Sequence, residues 1–526
     1  MTRPVQLSAD EDLSPAQLEA VANGAELQLS QQHWQAVQQC YEQVQQLLQQ
    51  RARIYGLTTG YGPLADTYID PADSASLQRN LIYHLSSGTG PMLATQQVRA
   101  IMAARVATLA RGHSGVHPNC LKLLLACLNQ DLIPVVPALG TVGASGDLTP
   151  LAHIARGLLG EGNMQVQGQL VTATEALQQA KLEPLAPTGK DALALVNGTS
   201  AMTAIAGLNQ QLSERLLSLS VKHTVLYGEV LSGSTEALQP GLGQLRPHVG
   251  QCWAHDQLLK QAEGSERLQA YAPPPKLNDQ VQQQQAMFAQ AMPQDAYSFR
   301  CAPQHLGAVY DTLKFHQQTV TTELASVTDN PVFLNQPDGS VQVLHGGNFF
   351  GQHIALAADA LNNALLTLAI HSERRIARVT DDKLNQGLPP FVRGNNNGLH
   401  SGFMGAQVTA SALVAELRTH AQPASIQSIP TNANNQDVVT MGTIAARRCA
   451  ETLQRLSELL AIEAMILAQA AELRDASVTS FSPASQAFIG EVRKQVQPLG
   501  DDRSLADDIQ RLAQHLQQPE LNAQLA

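Results

Sequence analysis

Five stretches of this chain, residues 200–233, 303–327, 351–380, 403–420 and 438–473, are rich in alanine and leucine and nearly free of proline. Alanine and leucine are strong helix formers, and proline is the residue that breaks a helix. Several stretches exceed the usual helix length in globular proteins. Helices this long bury their apolar faces by lying along one another, so the expected fold is mainly α, a long-helix bundle. Aromatic residues are only 4% of the chain, which also favours helix over sheet.

Shorter signals surround the long ones. In SQQHWQAVQQCYEQVQQLLQQR (30–51), Trp34, Val37, Tyr41, Val44 and Leu48 recur at helical spacing behind Ser30, a plausible cap. Residues 91–130 read as two helices broken near 112–115. Hairpins are expected at 163–175, turning near Gly168, and at 332–344, turning at Asp338-Gly339. Residues 262–295, with three consecutive prolines and a glutamine run, read as a surface excursion or linker.

The formal charge of -11 argues against nucleic-acid binding, which needs a basic patch. Six scattered cysteines without a CxxC pair suggest reduced thiols and a cytoplasmic protein. No signal-peptide core and no uninterrupted apolar run of membrane-spanning length is expected. His113 and His117 have HxxxH spacing, but Gly115 would break a helix between them and nothing local completes a metal site. They read as surface histidines, and no metal or nucleotide is expected.

The barest stretch is GTVGASGDL (140–148), which follows the apolar segment 132–137. It matches neither GxxxxGK[S/T] nor GxGxxG, so a phosphate cradle is poorly supported. Ser145 does not lie in a GxSxG elbow. The plain reading is a tight turn before a helix, with Asp147 as the cap. A chemical reading is also open. The amide nitrogen of Gly146 can attack the Ala144 carbonyl, because a residue without a side chain lets the backbone bend that far. Loss of one water closes a five-membered ring, and dehydration of Ser145 leaves an exocyclic methylene. The product is a methylidene-imidazolone (MIO), an electrophile made from the chain.

GTVGASGDLTPLAHIA resembles the signature of the aromatic amino acid ammonia-lyases and aminomutases. Eight further motifs in order resemble the same family: YGLTTGYGPLA (55–65), LQRNLIYHLSSGTG (77–90), DALALVNGTSAM (191–202), QDAYSFRCAPQ (294–304), VTDNPVF (327–333), LHGGNFFGQH (344–353), GFMGAQVTASALVAE (402–416) and TNANNQDVV (431–439). The likeness runs from about residue 10 to about 515. It implies a carbon–nitrogen lyase with MIO formed autocatalytically from Ala144, Ser145 and Gly146. It also implies a homotetramer whose active sites are shared between subunits, with a smaller MIO-bearing N-terminal region (1–200), a bundle and C-terminal region (201–526) and a few short strands.

The resemblance assigns roles residue by residue. Tyr55 is the expected base at the β-carbon, on a glycine-rich loop able to close. Arg300 should pair with the substrate carboxylate, for which a guanidinium has the right bidentate geometry. Tyr297 is expected near the amine, and Asn197 near the ring or the substrate carboxylate. Gln304, Asn330, Asn435 and Gln436 are expected as polar lining, and Glu416 as an acidic group near the amine.

The pair His84-Leu85 resembles the tyrosine-selective pattern. An imidazole can hydrogen-bond a phenol hydroxyl and Leu85 can pack on the ring, so L-tyrosine is the expected substrate and trans-4-hydroxycinnamate the product. A tyrosine 2,3-aminomutase, a phenylalanine or histidine ammonia-lyase, and an inactive helical scaffold are the alternatives. One departure bears on the base: Tyr61 stands where the family commonly has phenylalanine, leaving two tyrosines in the loop.

Overall fold

The structure, a computed structural model, describes residues 3–8, 11–271, 294–395 and 397–519. It is mainly helical with short strands. The five long stretches form the helices Ser200–Val230, Ala302–Leu324, Gln352–Thr380, Met404–Arg418 and Gly442–Arg474. Both hairpins form, Asn163–Val166 with Gln169–Thr172 and Val332–Asn335 with Val341–Leu344. Leu132–Pro134 joins the first as a third strand, so the apolar segment before the bare loop is a buried sheet edge. Most of the expected excursion at 262–295 lies outside the described residues.

The chain divides into two compact units, Met1–Gln211 with Phe315–Ala360 and Gln422–Ala450, and Leu212–Lys314 with Leu361–Ala421 and Glu451–Ala526.

The first unit is built around the helix Thr95–Ala110, in which every residue from Val98 to Ala110 is buried. Such a helix has no polar face, and it is covered by Pro15–Ala22, Gln31–Gln49 and Pro118–Asn129. Full burial of each leucine or valine contributes roughly 1.5–3 kcal/mol. The sequence sets where these covering helices begin. Ser14 and Gln17 form a reciprocal capping box, and Ser30 accepts from the His33 amide. Two arginines lie in the buried helix: Arg99 reaches the Val21 and Leu128 carbonyls and Asp131, and Arg105 Nε reaches the Ala194 carbonyl while its Nη1 is buried without a partner.

In the second unit, Leu456, Leu460, Phe481, Phe488 and Leu512 are buried. Glu229 accepts from the Ser482 amide at 2.6 Å, and the Arg474 Nε donates to the Val230 carbonyl. Gln352–Thr380 is long and apolar enough to cross a membrane by length and composition, although Asp359, Asn362 and Asn363 interrupt its apolar run. Of its most apolar window 61% is buried inside the protein, as for a core helix.

Candidate active site

In the first unit the bare loop meets segments 198–202 and 436–443. Gly146 has φ +70°, a left-handed conformation that L side chains rarely adopt, and a Cβ there would strike the Gly198 carbonyl. The chain turns so tightly that Ala144 and Gly146 pair with each other, and Gly146 pairs with Gly198. Segment 440–443 clamps the loop from the far end of the sequence. The Met441 amide donates to the Val142 carbonyl at 2.9 Å and the Thr440 hydroxyl to the Gly143 carbonyl at 3.1 Å.

Asp147 corrects the turn reading. It occupies the cap position of helix Leu148–Leu158, yet its side chain makes no capping bond there. It accepts from the Met202 amide at 2.7 Å and from the Thr443 hydroxyl. The carboxylate therefore serves the first turn of Ser200–Val230, where unpaired amides and the helix dipole favour negative charge. Burial pushes its pKa up to about 6, against these hydrogen bonds.

Tyr55 is half-buried, and its phenol oxygen accepts from the Gly62 amide at 2.9 Å. Its own amide donates to His345 at 3.3 Å. The two loop tyrosines differ in their fastening. The Tyr61 hydroxyl accepts from Gln78 at 2.9 Å, and burial pushes its pKa well above the usual phenol range. Gln78 also donates to the Gly56 carbonyl and accepts from the Leu193 amide. Tyr61 is thus a structural strut, whereas the Tyr55 oxygen accepts from a main-chain donor of its own loop. On the other side of the loop, the bare α-carbon of Gly62 faces the Asn432 amide.

Gln436 Nε2 donates to Ser145 Oγ at 3.0 Å, while its Oε1 accepts from Thr431 at 2.8 Å, so its orientation is fixed. Asn435 is exposed on the same turn. Asn197 Nδ2 donates to the Asn330 carbonyl, and Asn330 Oδ1 accepts from the Gly346 amide. Asn197 Oδ1 is buried without a partner. Beneath them the fully buried pair Lys190–Asp329, 2.5 Å apart, fastens the segment that carries Asn330. His84 is exposed at the last turn of helix Ser74–Leu85, and Leu85 is half-buried beside it. His84 Nδ1 lies 3.0 Å from the Asn80 carbonyl, which can only accept, so Nδ1 carries the proton and in the neutral ring Nε2 is an acceptor.

Tyr297, Arg300, Gln304 and Glu416 belong to the second unit. Tyr297–Arg300 is a single helical turn, with Tyr297 70% exposed and the Arg300 guanidinium 4.7 Å from its ring centroid. Arg300 Nε and Gln304 Oε1 are buried without partners. Glu416 is paired with Arg455 at 2.8 Å on an exposed face.

Sequence reasoning missed Gln78, Thr440 and Thr443. Only Gln78 lay inside a quoted motif, and none of the three carries a chemical signature of its own. His113 and His117 are half-buried rather than surface residues. His113 bonds to the Phe333 carbonyl, and His117 caps Pro118–Asn129 by accepting from the Asn119 amide. Among the described residues no group of three or more His, Cys, Asp or Glu is placed to hold a metal. All six cysteines are free, and burial pushes the Cys40 thiol up to about 11.

The tripeptide 144–146 fits a cyclised group on two independent observations. Its last residue sits where only a glycine can, with its ends already folded together, and the orphaned Asn197 oxygen is buried in the adjacent segment.

Residues 13–494 match the family described as aromatic amino acid lyase. A tyrosine ammonia-lyase of Cereibacter sphaeroides is 49% identical over 474 residues, 90% of each chain. A histidine ammonia-lyase of Symbiobacterium thermophilum is 39% identical over 97% of this chain and 96% of its own. Among solved structures, a tyrosine aminomutase from Streptomyces globisporus superimposes with a TM-score of 0.92 at 37% identity, covering 99% of this chain and 98% of that one.

Proposed function

Because this chain belongs to the aromatic amino acid lyase family, carbon–nitrogen lyases by class, we propose that it is a tyrosine ammonia-lyase, converting L-tyrosine to trans-4-hydroxycinnamate and ammonia. The carrying observation is the tautomer of His84. With Nδ1 committed to Asn80, Nε2 offers a lone pair, and a phenol hydroxyl is a donor that can meet it. Phenylalanine has no such donor, and a site built to bond a hydroxyl discriminates against the analogue that lacks it. The 49% identity to a tyrosine ammonia-lyase supports the same reading.

Ala144, Ser145 and Gly146 would form the MIO, whose electrophilic methylene converts the amine into a competent leaving group. The remaining work falls to the side chains. Tyr55 takes the β-proton as its phenolate, and the Gly62 amide at its oxygen favours that charged form before the transfer. Arg300 holds the substrate carboxylate with its Tyr297 neighbour toward the amine, and Gln304 and Glu416 line the approach. Gln436 orients residue 145, Asn197 turns its free oxygen toward the ring or substrate, and Asn330 and Asn435 complete the polar lining. From the family resemblance we also propose a cytoplasmic homotetramer with active sites shared between subunits.

The similarity to a tyrosine aminomutase favours a second reading, return of ammonia to the β-carbon to give β-tyrosine. One experiment separates these. The purified enzyme receives L-tyrosine, L-phenylalanine and L-histidine separately, and conjugated acids and β-amino acids are quantified chromatographically. The expected result is mainly 4-hydroxycinnamate, with the highest kcat/KM for tyrosine. Dominant β-tyrosine overturns the lyase reading, and a preference for histidine or phenylalanine overturns the His84 reading. Intact mass tests the ring: a chain not lighter by two waters carries none.

A further inference from the structure

The turn Tyr297–Arg300 is only four residues long, too short to hold its own shape. Within the second unit it is held from behind. The Phe299 ring is buried against Gly228 and Gly233, where any Cβ would collide with it. The Ser298 hydroxyl lies 2.8 Å from the Tyr227 hydroxyl, and Asp295 accepts from the Ser234 amide at 2.8 Å. The remaining anchor is a row of charged and polar groups. Glu463, fully buried, accepts from Arg375 Nε at 2.5 Å and Nη2 at 2.9 Å, from Ser372 at 2.6 Å and from His223 at 2.9 Å. Arg375 Nη1 lies 2.7 Å from His371 Nδ1, and His371 Nε2 lies 2.9 Å from the Ser298 carbonyl.

The donors and acceptors in this row admit one arrangement. Arg375 can only donate, so His371 Nδ1 accepts. The Ser298 carbonyl can only accept, so Nε2 carries the proton. The imidazole is therefore neutral, and burial followed by the Arg375 charge holds its pKa well below the usual value. Burial alone would raise the Glu463 carboxyl, yet Arg375 and His223 hold it below the ordinary carboxylate range. The buried ion pair is satisfied on every side, and its last donor reaches the backbone between Tyr297 and Arg300.

We propose that His371 is a positioning residue for substrate recognition: it carries the Glu463–Arg375 anchor to the Ser298 carbonyl and so fixes where Arg300 meets the substrate carboxylate. The inference rests on the reading of Arg300 given above. Removing the imidazole leaves a buried carbonyl and a buried guanidinium N–H unpaired, and the one-turn helix is then held less closely at Ser298. A displaced guanidinium weakens ground-state and transition-state binding alike, so KM changes and kcat does not. Glutamine is the conservative replacement. Its oxygen can accept from Arg375 and its amide can donate to Ser298, with no imidazole present.

The test uses the intact enzyme and the amino acid it turns over best. His371→Leu is expected to raise KM roughly tenfold with kcat within about threefold, and His371→Gln to recover most of the loss. Intact mass should show the same two-water deficit in both variants, separating misplacement from failed maturation. An unchanged KM in a folded His371→Leu chain overturns the proposal, as does His371→Gln behaving no better than His371→Leu. Arg300→Met is measured alongside. If it leaves KM unchanged, the underlying reading of Arg300 has failed. If it raises KM while His371→Leu does not, only the positioning role has failed. Should His371→Leu not fold, Tyr227→Phe removes just the hydroxyl beside Ser298. A KM raised about threefold supports the anchoring argument, and an unchanged KM overturns it.

Discussion

The two units prepare chemistry in opposite ways. In the first, the segment proposed to react is main chain: the 143–147 loop is forced into a tight turn by glycines and by carbonyl and hydroxyl contacts from distant segments. In the second, the proposed substrate contact is a side-chain charge, Arg300, and the backbone bearing it is pinned from behind by a buried ion pair and a histidine. A loop that must react with itself needs its backbone bent, so its supports are close and intolerant of bulk. A charge that must meet a substrate needs only to be held in place, so its supports can be remote.

The largest effect should come from the first kind of support. Gly146→Ala places a methyl against the Gly198 carbonyl at φ +70°, and is expected to abolish elimination and leave an intact mass without the two-water deficit. An active, ring-bearing Gly146→Ala chain would break the comparison. Next come the two tyrosines. Tyr55→Phe should lower kcat by about a thousandfold. Tyr61→Phe, which deletes only a bond to Gln78, should lower it by less than about tenfold. Equal losses in steady-state assays would show that the strut and the base had been confused.

Arg300→Lys keeps the charge of the second unit but loses the planar fork, and should raise KM about tenfold with the ring intact by mass. The smallest effect sharpens the contrast through pH. His316 is buried in the first unit, bonded to Gln210 at 2.7 Å, and burial lowers its pKa to about 3. An unfolded histidine binds its proton near pH 6.5, so the unfolded state holds more protons between there and about pH 3. The stability contributed by neutral His316 is full above pH 6.5 and is lost as pH falls toward 3. His305 in the second unit follows the same sign, with burial lowering its pKa to about 4. Denaturant titrations across this range should slope less steeply in His316→Gln than in the parent, and an unchanged slope would remove His316 from the account.

Much of this was legible in the sequence, for identifiable reasons. The long helices announce themselves because alanine, leucine and the absence of proline act locally, and Ser30 caps where its neighbours require. The hairpins follow from turn residues in the same way. The bare loop was conspicuous because small residues cannot fill a core. What stayed hidden depends on partners far along the chain. Asp147 looked like a cap for the helix it precedes and instead serves one that begins at Ser200, because Met202 and Thr443 are brought to it only by the fold. Gln78 and His371 carry ordinary side chains whose importance lies in what they touch. The surface reading of His113 failed similarly, since its partner Phe333 is 220 residues away.

The clamp on the bare loop has a consequence in time. Val142 and Gly143 are held by Met441 and Thr440, and Asp147 by Thr443, residues that a ribosome adds nearly three hundred positions later. At ordinary elongation rates that interval is roughly tens of seconds. Throughout it the nascent loop lacks the clamp from 440–443, with only the nearer contacts to Gly198 and Met202 within reach. The proposed self-modification is therefore expected of the finished chain, and a product truncated before Thr440 is expected to show no two-water deficit by intact mass.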